Sequence, residues 1–359
     1  MAERKRLLAL DVLRGITVAG MIFVNNGYGE KFAMFEHSEW NGMTVCDMVF
    51  PFFLFIVGVS AYLSLSKYNF LPAKAVVLKI VKRTVLLFLL GLFIHWTDCA
   101  VWGDPWCFSH LRVWAVLQRI ALCYCGVSLF AIFCSHRYVL HTIAALLVAY
   151  AAILLLGHGY DNDSTTNILA IVDIKLFGAE HLYTHDPIDP EGLLGTISGI
   201  AHALIGFYVG KKMKEAESVG KKLILLFVIG TVLLTAGYLL SDLLPLNKRI
   251  WSPSYLLVTC GIASLLLGLL MYVIDMKGKS GWTRAFQVFG INPLALYALS
   301  EFMCILIWRF GLAEPLYNLV HYVVAFDPRI TSACYSLIIV GICYAVGYIL
   351  WKKKIFIKL

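Results

Sequence analysis

The chain has 359 residues, of which 60% are hydrophobic and 14% charged, and its mean hydropathy is +0.80. A soluble domain carries about 25% charged residues and could not bury so much apolar surface, so the composition excludes a soluble protein. The net charge of +8 does not indicate a nucleic-acid partner, because membrane topology accounts for where the basic residues lie.

Apolar stretches of about 20 residues, long enough to cross a bilayer as helices, recur along the whole sequence. We predict an all-α integral membrane protein with a single domain over residues 1–359, built as a bundle of about ten transmembrane helices. The predicted helices lie at about 7–24, 47–66, 83–97, 112–134, 139–157, 193–211, 221–240, 252–275, 286–310 and 331–351.

The distribution of Lys and Arg predicts an even number of helices with both termini in the cytoplasm. Alternate connections, beginning with the N-terminal segment, hold 21 of the 30 basic residues. The opposite loops hold five, namely Lys31, Lys175, Lys248, Arg249 and Arg329. This bias places the long loops 25–46 and 158–192 on the exterior side, and loops of that length usually carry function.

Ionisable residues inside the predicted helices are costly and need partners. Asp11 and Arg14 lie one turn apart in the first helix and are predicted to form an ion pair. In the ninth helix, Asn292 and Pro293 indicate a break, with Glu301 farther along. Broken helices line cavities in membrane proteins.

Arg112 and Arg119 are seven residues apart and are predicted to share one helix face, with Gln118 beside the deeper arginine. Two arginines that face a helix bundle need anions. Acidic residues of the exterior loops could supply them, or a ligand's phosphates or carboxylate could. The sequence leaves both sources open.

Another polar group lies where the first predicted helix ends and the second begins. Asn25 ends the first helix, His37 follows in the loop, and Asp47 begins the second helix. Because these helices are adjacent, their ends bring an amide, an imidazole and a carboxylate within reach of one another. Such a set supplies a general base, an orienting group and an oxyanion donor. A solvated histidine without a role is the alternative interpretation.

The acidic and histidine residues around His181 and His185 fit no usual zinc spacing, so we predict no metal site. Most of the ten cysteines are predicted to be small buried hydrophobes. Cys99 and Cys107 fall in one exterior loop, where a disulfide is possible but spacing alone does not establish one.

Several sequence blocks, in this order, resemble the heparan-α-glucosaminide N-acetyltransferase family, which comprises the lysosomal enzyme and bacterial inner-membrane relatives. The blocks are Leu10-Asp11-Val12-Leu13-Arg14-Gly15, Phe23-Val24-Asn25, His37 through Asp47 into Phe50-Pro51, Val116-Leu117-Gln118-Arg119, His181-Leu182-Tyr183, Asp189 through Thr196, Asn247-Lys248, Trp251-Ser252-Pro253-Ser254-Tyr255, Gly290-Ile291-Asn292 and Lys353-Lys354-Ile355-Phe356.

The resemblance implies transfer of an acetyl group from cytosolic acetyl-CoA to a glucosamine amine on the far side of the membrane. It places the family's catalytic histidine on His37 and its partner on Asn25. Other important positions of relatives fall on Asn41, Asp47, Arg112, Glu191, Ser252 and Ser254, the last two in a region that contacts the coenzyme. We therefore expect the coenzyme to be bound by Arg112, Gln118, Arg119, Ser252, Ser254 and Asn292, and the acceptor by Trp40, Asn41, His181 and Glu191.

The expected partners are acetyl-CoA as co-substrate, an amino-sugar or glycan acceptor and the lipid of a bacterial inner membrane, with a homodimer as one option for assembly. The competing function is transport of an amino sugar or a cell-wall fragment, although the sequence has no internal repeat and only one candidate broken helix. A flippase or scaffold is a third class. Whether His37 acts as a base or carries the acetyl group itself stays open.

Overall fold

The computed structural model describes residues 7–183, 186–324 and 327–357, and every regular element in these residues is helical. The all-α prediction is therefore confirmed for this part of the chain. The α-helices are α1 (Leu8–Asn25), α2 (Val45–Leu65), α3 (Lys74–Val101), α4 (Val116–Phe133), α5 (Val139–Leu156), α6 (Ile168–Phe177), α7 (Gly195–Glu215), α8 (Val219–Ser241), α9 (Pro253–Met271), α10 (Arg284–Ile291), α11 (Pro293–Arg309), α12 (Ala313–Val324) and α13 (Pro328–Lys352).

Within these described ranges, seven helices are long and apolar enough to cross a membrane, or eight if the bent pair α10–α11 forms one span. This number supports a multi-pass membrane protein but does not confirm the expected ten spans. The helices that cover the predicted segments 83–97 and 193–211 are α3 and α7, and neither is among the seven. The sides on which the termini lie stay a prediction.

Helices α1, α2, α4 and α9 are the most buried of the candidate spans, and α5, α8 and α13 are the most exposed. The exposed helices present large apolar side chains, such as Leu239 on α8 and Leu337 on α13. Apolar residues on the outer face of a helical bundle suit contact with lipid tails, which are as apolar as the side chains themselves. The buried helices thus form the centre, and the exposed ones surround it.

Small residues bring α2 and α7 into close contact at the centre of the bundle. A Cβ atom on Gly58 would collide with the carbonyl of Ala203, and one on Gly206 would collide with the carbonyl of Phe55. Glycine at a helix crossing allows the two backbones to approach, which is a common device in membrane bundles. The helix α2, which begins beside the candidate site, is therefore held firmly against α7.

The predicted break in the ninth helix is confirmed. Helices α10 and α11 meet at Asn292 with a bend of 73°. Pro293 is the first residue of α11, a position where its missing N–H and fixed φ angle are tolerated. The predicted ion pair also forms, since Arg14 Nη1 lies 2.8 Å from Asp11 Oδ1 and 3.2 Å from the carbonyl of Gly290 in α10.

Two helices lie in segments that were predicted as exterior loops. Helix α6 has 10 residues, which is too short to cross a bilayer. Asn167 caps its N-terminus and accepts a hydrogen bond from Leu169 N at 2.9 Å. Helix α12 has 12 residues and exposes Leu319, Tyr322 and Val323. Both were missed because a short helix lacks the long apolar run that marks a span.

Candidate active site

The adjacent ends of α1 and α2 bring the predicted polar group together. Asp47 lies in the first turn of α2 and is fully buried. Its Oδ2 accepts hydrogen bonds from the backbone N–H groups of Ser38 at 3.1 Å and Thr44 at 3.0 Å, and from the Thr44 hydroxyl at 3.1 Å. The carboxylate therefore satisfies donors at the start of α2 and fixes the loop that carries His37.

The other oxygen of Asp47 orients the imidazole of His37. Asp47 Oδ1 lies 2.7 Å from His37 Nδ1. Because the carboxylate accepts several hydrogen bonds, it can only accept from His37, so Nδ1 is the donor and, in the neutral imidazole, Nε2 keeps its lone pair. Tyr255 on α9 donates a hydrogen bond to the Asp47 carbonyl at 2.6 Å. This bond connects the first turn of α2 to α9.

Lys248, in the loop between α8 and α9, completes this group. Its Nζ lies 2.9 Å from His37 Nδ1, 3.2 Å from His37 Nε2 and 3.5 Å from Asp47 Oδ1. Lys248 was not among the predicted site residues, and the Asn247-Lys248 block was the only sequence signal for it. The site thus holds a positive charge beside the imidazole and the buried carboxylate.

Asn25, the last residue of α1, lines three cavities of about 270, 450 and 120 Å³. His37 borders the first two, and Glu301 of α11 borders the last two. The Glu301 carboxylate also lies within hydrogen-bonding reach of the side chains of Asn25 and Tyr297. The amide of Asn25 therefore lies at the junction of the three cavities, two of which His37 also borders, and within reach of the half-buried Glu301 carboxylate.

Arg112 lies in the wall of the 270 Å³ cavity, which His37 also lines. Its Nη2 lies 3.1 Å from Asp189 Oδ1 and 3.0 Å from Glu191 Oε2, and its guanidinium lies over the ring of Tyr183 at 4.5 Å. Burial lowers the pKa of Arg112, but the two carboxylates outweigh burial and raise it overall. Acids of the segment between α6 and α7 therefore supply the counter-charge of this arginine.

The prediction that Arg112 and Arg119 share one helix face is wrong. Helix α4 begins at Val116, and the chain before it is not helical: Val113 N donates to the carbonyl of His181 at 2.9 Å. Arg119 lies in the first turn of α4 and is 1% exposed. Its Nη2 donates to the Gly192 carbonyl at 2.8 Å, and it is not among the described residues that line the three cavities.

Asp173 of α6 contacts the same segment before α7 that Arg119 contacts. Its Oδ1 accepts a hydrogen bond from Leu193 N at 3.0 Å, and its Oδ2 leaves no room for a Cβ atom at Gly192. Burial raises the pKa of the Asp173 carboxyl to about 6, although the hydrogen bond from Leu193 opposes the shift. Arg119 and Asp173 together position the segment that presents Glu191 to Arg112.

Replacement of Arg112 by alanine is expected to lower the midpoint of thermal unfolding in detergent. The change leaves the buried carboxylates of Asp189 and Glu191 without their cation, which should cost about 1–3 kcal/mol of stability. The matched control is Arg329→Ala, which removes an exposed ion pair with Asp327 and should change stability by about 0.5 kcal/mol or less. Equal midpoints for the two variants would contradict a stabilising role for Arg112.

The remaining predicted acceptor residues bind to backbone or to other side chains of the protein. Trp40 Nε1 donates to the Tyr160 carbonyl at 2.8 Å, Asn41 Oδ1 accepts from Asn247 Nδ2 at 3.3 Å, and His181 Nδ1 lies 2.8 Å from the Leu111 carbonyl. These contacts join loops that surround the cavity. Of the predicted acceptor residues, only Glu191 is among the described residues that line the 270 Å³ cavity.

Gln118 is the predicted coenzyme residue whose side chain lacks a hydrogen-bond partner in the described part of the protein. It is fully buried in the wall of the 120 Å³ cavity, and neither of its amide atoms has a hydrogen-bond partner among the described residues. An unpaired buried amide is costly. Gln118 is therefore suited to bind a polar group that enters this cavity.

The other predicted coenzyme residues have hydrogen bonds within the protein. Ser252 caps the N-terminus of α9 and accepts a hydrogen bond from Asn247 N at 3.0 Å, while its Oγ lies 3.1 Å from Ser254 Oγ. Asn292 donates to the Ile355 carbonyl at 2.9 Å and accepts from Ile357 N at 2.9 Å. The three polar side chains are not among the described residues that border the three cavities.

No cluster of three His, Cys, Asp or Glu side chains that could hold a metal ion occurs in the described part of the chain. Thr184 and His185, which belong to the segment considered for a metal, lie outside it. Cys99 and Cys107 are free thiols. The structure therefore contains no disulfide between these two residues.

The family model described as heparan-alpha-glucosaminide N-acetyltransferase, catalytic, matches residues 6–186, half of the chain. The chain is also similar to two curated proteins named heparan-alpha-glucosaminide N-acetyltransferase. The Mus musculus protein is 28% identical over 417 residues, covering 100% of this chain and 61% of the relative. The Homo sapiens protein is 28% identical over 419 residues, covering 99% of this chain and 60% of the relative. This chain thus spans about 60% of the length of these relatives, and it belongs to the heparan-alpha-glucosaminide N-acetyltransferase family.

Proposed function

We propose that this protein is a transmembrane acetyltransferase that moves an acetyl group from cytosolic acetyl-CoA to the amine of a glucosamine-type sugar on the opposite side of the membrane. The observation that carries this proposal is the pair formed by His37 and the buried Asp47, beside a cavity that Asn25 also lines. Membership of a family whose relatives are named for N-acetyl transfer to a glucosaminide supports the same reaction.

Acyl transfer to an amine needs the functional groups that this cavity contains. The attacking amine has to lose a proton, and the Nε2 lone pair of His37 can accept it. Negative charge develops on the thioester oxygen, where the amide N–H of Asn25 can stabilise it. Asp47 holds the imidazole in the tautomer that leaves Nε2 free. The carbon–sulfur bond then breaks, and the coenzyme leaves as its thiol.

Arg112 and Gln118 are the coenzyme residues that we retain, because each of them lines a cavity next to Asn25. The 120 Å³ cavity extends from Asn25 to Tyr297, which lies one helical turn from the break at Pro293. We propose that the thioester reaches His37 along this 120 Å³ cavity, which we call the inner cavity. The acceptor enters the 270 Å³ cavity, whose wall includes Glu191 and the exterior-loop residue Tyr183.

Purified protein incubated with acetyl-labelled acetyl-CoA and a panel of amino sugars tests the proposal. We expect label on the nitrogen of a glucosamine-type acceptor, either as the free sugar or as part of a chito-oligosaccharide or cell-wall fragment. A transporter needs neither acetyl transfer nor thioester cleavage. Protein that binds amino sugars but catalyses neither step would therefore contradict the acetyltransferase proposal and favour transport.

The proposed direction of transfer depends on which side each loop faces. A cysteine at Glu217, in the loop before α8, should react with an impermeant maleimide only from the cytoplasmic side, because basic residues flank it. A cysteine at Asn162 should react only from outside. Both variants are measured in sealed vesicles of known orientation, with the exposed Cys134 replaced by serine. Labelling of position 217 from outside would reverse the assigned side of every loop.

A further inference from the structure

A lysine amine of the protein itself contacts the imidazole of His37. Lys248 Nζ lies 3.2 Å from His37 Nε2 and 3.5 Å from Asp47 Oδ1. Its side chain is only 15% exposed. Its neighbour Asn247 is fully buried and bonded to Asn41 and Ser252, so the loop holds this amine in place.

An acceptor amine would need the contact that Lys248 makes with Nε2. The shorter distance, 2.9 Å from Lys248 Nζ to Nδ1, is not a hydrogen bond in this tautomer, because Nδ1 already carries the proton that faces Asp47. Because Nδ1 of His37 donates to Asp47, only Nε2 has a lone pair that can accept a proton from an amine. An attacking amine must therefore present its N–H to Nε2, within about 3 Å. Lys248 Nζ is already close to that distance. It is a primary amine, as is the amine of a glucosamine-type acceptor.

A second lysine near the site has a different partner. Lys31 borders the 450 Å³ cavity together with His37. Its Nζ, however, donates to the Val24 carbonyl at 3.4 Å. Lys248 Nζ instead lies within hydrogen-bonding distance of both imidazole nitrogens, so the two lysines provide a matched comparison of amines at one site.

We propose that Lys248 Nζ occupies the acceptor-amine position, and that in the absence of an acceptor the protein transfers acetyl from acetyl-CoA to Lys248. This inference rests on the acetyltransferase function proposed above. The Lys248 ammonium first loses a proton to solvent. Its nitrogen then attacks the thioester carbon, His37 Nε2 takes the second proton, the carbon–sulfur bond breaks and a carbon–nitrogen bond forms. The coenzyme thiolate takes up a proton and leaves as free coenzyme A.

The test uses the full chain in detergent with acetyl-CoA and no amino sugar, at about pH 9 to raise the neutral fraction of lysine amines. Peptide mass spectrometry follows acetylation at Lys248, with Lys31 as the internal control. We expect acetyl-lysine at Lys248 ahead of Lys31. The rate should fall at least about 100-fold in His37→Ala, as for loss of a general base. Glucosamine at saturating concentration should protect Lys248.

A parallel assay of acetyl transfer to glucosamine separates this inference from the function on which it rests. If glucosamine is acetylated while Lys248 stays unmodified, the inference is wrong and the proposed function stands. The inference is also wrong if acetylation of Lys248 is as fast in His37→Ala, or if glucosamine gives no protection. If neither amine is acetylated, the proposed function fails as well. The Lys248→Arg variant should keep its fold and lose the labelled peptide, which confirms the site of modification.

Discussion

Replacement of His37 by alanine is expected to lower the turnover of acetyl transfer at least about 100-fold, the low end for loss of a positioned general base. The variant should still fold, because His37 lies in a loop and its side chain is 49% exposed. It should also still bind acetyl-CoA. The imidazole accepts its proton as the amine attacks, so it contributes to the transition state and little to binding of the donor.

Turnover and equilibrium binding of acetyl-CoA, measured on the same preparation, separate these effects. The matched control is His110→Ala. His110 also pairs with an aspartate, since its Nε2 lies 3.1 Å from Asp104 Oδ2, but both side chains are about half exposed, in the loop between α3 and α4. This control should keep normal turnover. Acid quenching after mixing with labelled acetyl-CoA then shows whether His37 itself carries the acetyl group.

Near-normal acetyl transfer by His37→Ala would remove this residue from the chemistry. His181 would then be the next candidate, because it is the other histidine in the sequence blocks that resemble the family. Its Nδ1 is engaged by the Leu111 carbonyl at 2.8 Å, which leaves Nε2 as the reactive atom. The proposed role of the inner cavity and of Gln118 in binding the coenzyme would not change with that result.

The candidate catalytic group was predictable from the sequence because it depends on chain neighbours. Asn25 ends one helix, Asp47 lies in the first turn of the next, and the loop that joins these adjacent helix ends carries His37. The break at Pro293 was predictable for a similar reason, since proline restricts the residue before it and has no N–H to continue the helix. Both features follow from local rules.

The contact of Lys248 with His37 could not be predicted in this way. The two residues are 211 positions apart, and their contact depends on how the loop before α9 packs on the loop before α2. The position of Arg112 was mispredicted for a different reason. Residues 112–115 continue the apolar pattern of α4, but Val113 pairs with the backbone of His181 and the helix begins only at Val116. Periodicity alone does not report such long-range backbone pairing.

Asp47→Asn is expected to reduce turnover about as much as loss of His37. The amide oxygen can replace Oδ2 and keep the hydrogen bonds from Ser38 and Thr44, so the start of α2 should stay folded. The amide NH₂ then faces His37 Nδ1 and donates to it. The imidazole must carry its proton on Nε2, and it can no longer accept one from the amine. In a Ser-His-Asp triad the equivalent change lowers turnover roughly 10,000-fold through the wrong tautomer.

The control for this variant is Asp104→Asn, which changes the exposed pair with His110 in the same chemical way. It should leave both turnover and acetyl-CoA binding unchanged. Residues that act as one unit show non-additive losses of turnover. The turnover of the double variant His37→Ala with Asp47→Asn should therefore lie within about threefold of that of the slower single variant. Additive losses, or normal turnover in Asp47→Asn, would mean that Asp47 only holds the loop and the start of α2, and that the tautomer of His37 does not matter for transfer.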